Sequence, residues 1–189
     1  LCGYPLPLAA VQILWINMTT AVILGLALAF EPMSTDVMAR PPRNPSAPLF
    51  TVELVMRTFF VGIMLLGAAF GVYVWELETG HSIEVARTSA ANAFVVMQMF
   101  YLFNCRSLVG STNVGLFSNP FVWYGSILMI VLQLGFTYLP FMHLGFHTAP
   151  VGLTSWTTVL ASGVVLYLAV EVEKWIRARY ASGTSTRTR

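Results

Sequence analysis

Residues 7–32 read PLAAVQILWINMTTAVILGLALAFEP, an apolar run long enough to cross a bilayer that nevertheless carries Asn17, Thr19 and Thr20. A helix needs about 20 apolar residues to span the hydrocarbon layer, and the run supplies them from Leu8 to Phe30. Asn17 and Thr20 are three apart, so a helix puts them on one face with Thr19 beside it. An unpaired polar group in hydrocarbon is costly, so these side chains should face other helices or a hydrated cavity. Two readings stand. The first is an interhelical hydrogen-bond contact, in which the threonines satisfy their own backbone carbonyls. The second is an oxygen-lined cation path, to which the Asn17 amide brings a carbonyl acceptor suited to hard cations.

The rest of the 189 residues has the same character. Charged residues make up 10% and hydrophobic ones 57%, against about 25% charged in a soluble globule, so the composition predicts an all-α integral membrane bundle. Five spans are expected, over about 8–30, 50–75, 89–104, 121–139 and 155–172. The third is the weakest, being short and containing Asn92 and Gln98. The proline-rich segment from Glu31 to Pro48 ends the first span. Asn119-Pro120 is a cap and first-turn proline for the fourth. The small, polar, basic residues 181–189 read as a disordered tail. No acidic residue falls in the core of any expected span.

Basic residues set the expected orientation. Arg40, Arg43, Arg57, Arg106 and the basic residues from Lys174 onward fall on one face of a five-span chain, and Arg87 falls on the other. The positive-inside rule then places the N-terminus outside and the C-terminus in the cytoplasm. Cys2 and Cys105 would lie at opposite faces, unable to pair. An odd number of spans entered from outside, in a chain that begins with Leu1, suits the second half of a larger protein.

The helix 7–32, followed by MARPPRNPSAPL at 38–49, resembles the sixth transmembrane helix and following cytoplasmic loop of type II P-type cation-transporting ATPases. LFNCRS at 102–107 and the set Pro150, Leu153, Trp156 fit the same family, and the likeness extends over helices six to ten. The resemblance implies a helix unwound near its middle that lines a cation site, with Asn17, Thr20 and the adjacent Thr19 on the first helix and Gln98 on the third. It implies ATP and Mg2+ for the parent pump, a transported cation, the bilayer and a missing N-terminal half as partners, and the plasma membrane of a prokaryote. Arg40 and Arg43 would dock a cytoplasmic domain. Calcium and sodium–potassium pumps carry an aspartate where this chain has Ala21 and a proline where it has Leu24, and the calcium pump carries a glutamate at Gln98. Two carboxylates are thus replaced by neutral groups, which points to a monovalent ion, a proton or a weakly held divalent ion.

Other features carry less. Gly67 and Gly71 form a G-x-x-x-G pattern suited to helix packing, against the family's fifth helix by resemblance. His143 and His147 are four apart but lack a third metal ligand, and no transition-metal site is expected. His81 reads as a solvated loop residue. No D-K-T-G or Walker A motif and no catalytic triad occurs, so the chain is not expected to hydrolyse ATP alone, and nothing suggests nucleic-acid binding. The readings from other classes are a small membrane protein acting in helix association, and an inactive pump remnant.

Overall fold

The computed structural model describes residues 5–30, 51–109 and 119–185. It is an all-α bundle: α1 Ala10–Ala29, α2 Val52–Glu78, α3 Ile83–Val109, α4 Pro120–Tyr138, α5 Pro140–Phe146 and α6 Leu153–Ser185. Among the described residues, four helical stretches are long and apolar enough to cross a membrane: Ala10–Ala29, Leu54–Glu78, Pro120–Tyr138 and Leu153–Ile176. Trp75, Trp123 and Trp156 each sit within about a turn of the end of such a helix, the place where interfacial tryptophans gather.

The expected third span, 89–104, lies within a longer helix. In place of a short 89–104 segment, α3 is a 27-residue helix, yet it is not among the four stretches apolar enough to cross unaided. Its position explains the difference. α3 packs against α1, α2, α4 and α6, so it meets protein where the others meet solvent or lipid. Ala86, Ala90, Ala91 and Ala93 are fully buried and let the neighbouring backbones approach, while Thr88, Ser89 and Asn92 are fully buried too. A helix enclosed by other helices can carry polar side chains that a lipid-facing one cannot.

Local chemistry sets the turns. The α2–α3 hairpin closes on Gly80 at φ +84, with His81 N–H bonded to Glu76 O at 3.1 Å and Gly80 N–H to Leu77 O at 3.1 Å. That is the Schellman pattern, which satisfies two of the helix's terminal carbonyls and favours glycine at the left-handed position. Asn119 caps α4 as expected, accepting from Phe121 N–H at 2.9 Å, with Pro120 at the first helical position. The short α5 was not legible: Pro140 ends α4 and starts a seven-residue helix that closes on His147 at φ 51. α6 continues to Ser185, through residues 181–185 of the expected tail. No proline interrupts it, and a glycine costs a helix only about 1 kcal/mol.

Glu76 lies near the end of α2. The helix runs past the expected end of the second span, and Glu76 is buried to 1% exposure within the apolar stretch Leu54–Glu78. His81 Nδ1 lies 2.8 Å from its Oε2, so this half-exposed histidine is tied to the helix end rather than simply solvated.

A Cβ at Gly67 or Gly71 would meet nothing within 4 Å, so neither packs against a helix of the described chain. Gly163 does pack: a Cβ there would come within 2.7 Å of the Phe100 ring and 3.0 Å of Val96. It is Gly163 that admits α3 to α6. Arg40 and Arg43, with the loop they occupy, lie outside the described residues.

Candidate cation groove

Three helices frame a groove of about 500 Å³. α1 contributes Asn17, Thr20 and Ala21, α2 contributes Thr58 and Gly62, and α3 contributes Gln98, Tyr101 and Cys105. The structure therefore brings Asn17, Thr20 and Gln98 to one place. Thr19 is not among the lining residues. Its hydroxyl turns back on Trp15 O at 2.8 Å and Ile16 O at 3.3 Å, and its side chain is buried on another face.

The chemistry of the lining follows from how each group is satisfied. Thr20 Oγ1 donates to Ile16 O at 2.7 Å, and Thr58 Oγ1 to Leu54 O at 2.9 Å. Each hydroxyl has thereby spent its one hydrogen and keeps acceptor lone pairs. The amides of Asn17 and Gln98 bring carbonyl oxygens, so the set is one of neutral oxygen donors. Tyr101 and Cys105 extend it along α3. No carboxylate is among the lining residues of the described chain.

α1 also departs from the resemblance. It is one unbroken α-helix over Ala10–Ala29, without an unwound middle. Leu24 retains the N–H that a proline would remove, so the ladder through Asn17–Thr20 stays intact.

Sequence reasoning missed Tyr101 and Cys105, although their spacing of three and seven from Gln98 was the available signal. It also missed a polar network between α3 and α4. Gln133 Nε2 donates to Asn92 Oδ1 at 2.6 Å, and Asn92 Nδ2 donates to Thr137 Oγ1 at 3.1 Å. Thr137 donates in turn to Gln133 O at 2.8 Å. All three side chains are at least 97% buried. His143 Nε2 lies 3.0 Å from Thr137 O, and no three His, Cys, Asp or Glu side chains converge among the described residues.

The chain is thus an all-α bundle with a neutral, oxygen-lined groove between three of its helices. A model of the family described as "Cation transporting ATPase, C-terminus" matches residues 5–176, and the chain belongs to that family. Probable cation-transporting ATPase F of Mycobacterium tuberculosis is 44% identical over 172 residues, covering 90% of this chain and 19% of its own length. Cation-transporting ATPase pma1 of Synechocystis is 33% identical over 163 residues, covering 82% of this chain and 18% of its own. A calcium-transporting ATPase of Bacillus subtilis is 30% identical over 169 residues, covering 87% and 19%. The chain thus spans about a fifth of the length of the curated relatives it matches.

Proposed function

We propose that this chain is the membrane part of an ATP-driven cation pump, in which α1 and α3 supply neutral ligands to the transported ion. The observation that carries the reading is the convergence of Asn17, Thr20 and Gln98 on one groove, in a chain of the cation-transporting ATPase family. ATP and Mg2+ would be handled, and the aspartyl-phosphate formed, by residues outside these 189, and the bilayer would surround the spans. The N-terminal end would face outward and the C-terminal end the cytoplasm, in the plasma membrane of a prokaryote. The reported relatives are bacterial, and one is named for calcium.

Counter-charge decides the ion. A divalent ion in a low-dielectric site needs carboxylates, and the groove offers none. A monovalent ion, a proton or a weakly held divalent ion suits the lining, unless carboxylates come from elsewhere in the pump. The test is ATP hydrolysis by the full-length protein in vesicles, with Ca2+, Mn2+, Na+ and K+ supplied in turn and pH varied. Stimulation by one of these ions or by protons is expected. A full-length protein that forms no phosphoenzyme and responds to none would contradict the proposal. In the same assay Ala21→Asp should shift preference toward divalent ions.

A further inference from the structure

Among the described residues, α1 is held to its neighbours by side-chain hydrogen bonds at its two ends and not in its middle. At the start, Gln12 is fully buried, and its Oε1 accepts from Ala9 N–H at 3.1 Å, capping α1 itself. Its Nε2 donates to Phe146 O at 3.0 Å and lies 3.4 Å from His147 O, the carbonyls at the end of α5. At the other end, Asn119 is 1% exposed, and its Oδ1 accepts from Phe121 N–H at 2.9 Å, capping α4. Its Nδ2 donates to Ala27 O at 3.1 Å, in the last turn of α1. Each amide thus uses its oxygen on the start of its own helix and its nitrogen on the end of a neighbour. Terminal N–H and C=O groups are the backbone groups a helix cannot satisfy itself, and in a membrane they cannot be left to water. Between the two anchors the polar side chains Thr19 and Thr20 bond to α1's own carbonyls.

We infer that Gln12 and Asn119 form a two-point clamp that fixes the rotation of α1 about its axis, and so are positioning residues for the groove. The inference rests on reading the groove as the cation path. At 3.6 residues per turn, Asn17 lies roughly 140° around the helix from Gln12. Binding Gln12 to the α5 end therefore turns Asn17 away from α4 and α5 and toward Gln98. A second anchor at Ala27 keeps the helix from rolling under load.

Two substitutions separate clamping from capping. Asn119→Ser keeps an N-cap oxygen but is too short to reach Ala27 O. Gln12→Glu keeps the acceptor for Ala9 N–H and loses the donor to Phe146 O only once its buried carboxyl ionises, so this variant is assayed at raised pH beside the wild type. In the full-length protein, with Ca2+ as the first probe ion and Na+ or K+ if Ca2+ is inert, each variant should raise the half-saturating ion concentration about threefold to tenfold. That is what losing one ordinary hydrogen bond does to an equilibrium. Maximal turnover and protein yield should be retained. A readout independent of activity is a disulfide between Asn17→Cys and Gln98→Cys in membranes, with Cys2 and Cys105 changed to Ser. It should form readily with the clamp intact and several-fold more slowly in Asn119→Ser or Gln12→Glu. Unchanged half-saturation with an unchanged cross-linking rate would overturn the clamp. Lower yield alone, with both readouts unmoved, would also overturn it and leave a purely structural role. A wild-type protein with no cation response would instead contradict the transport reading, and the cross-linking rate would still decide the clamp.

Discussion

On its α4–α5 flank, α1 packs Trp15 against Phe136 and Phe146, with ring centroids 5.5 and 5.3 Å apart, and ties its first turn down through Gln12. On its α2–α3 flank the same helix looks across an open groove onto Gln98, Tyr101 and Thr58. One flank is filled with interlocking rings and satisfied amides. The other keeps space and acceptor lone pairs. The contrast teaches that one helix divides its polar residues by flank, those facing α4 and α5 serving packing and those facing α2 and α3 lining the groove.

The comparison can be broken most severely at the sealed side. Trp15→Ala should destabilise the bundle by about 3–5 kcal/mol, the range for emptying a buried aromatic site, and thermal unfolding in detergent would measure it. Next comes Gly163→Val, which drives new atoms into Phe100 and Val96. Overpacking of that kind costs about 1–3 kcal/mol, and the same melting experiment should show α6 loosened from α3. Asn92→Ala removes the centre of the α3–α4 network, and interhelical hydrogen bonds in membranes average about 0.6 kcal/mol, reaching about 1.7. Gly67→Ala should change the stability of this chain by no more than about 1 kcal/mol, and in the stabilising direction, because nothing lies near the new methyl and alanine favours a helix. If a helix from the rest of the pump covers that face, Gly67→Leu should destabilise the full-length protein while leaving this chain unharmed.

How far the sequence carried this account depends on which force shaped each element. Four helices were legible because their apolar runs are continuous, and the α4 start because Asn119-Pro120 is a local signal. α3 was read too short because the residues that make it central, its buried alanines and polar groups, lower the apolar signal used to find a span. The polar groove residues Asn17, Thr20 and Gln98 stood out as anomalies in apolar runs, whereas Tyr101 and Cys105 did not. Thr19 was grouped with them by adjacency, and helix phase separates it. The Gln12 anchor joins residues 134 apart, and no local pattern reveals such a pairing. Gly67 and Gly71 matched a pattern without a partner among the described residues, while Gly163 matched no pattern and holds the contact.

The central claim is that α1 presents Asn17 to the transported ion and turns Thr19 away from it. The most direct measurement compares cation-stimulated ATP hydrolysis of the full-length protein carrying Asn17→Ala with that carrying Thr19→Val. The account predicts that Asn17→Ala raises the half-saturating ion concentration about tenfold, a loss of about 1.4 kcal/mol, while Thr19→Val stays within about twofold of the wild type. Equal shifts in the two variants, or a larger one for Thr19→Val, would contradict it.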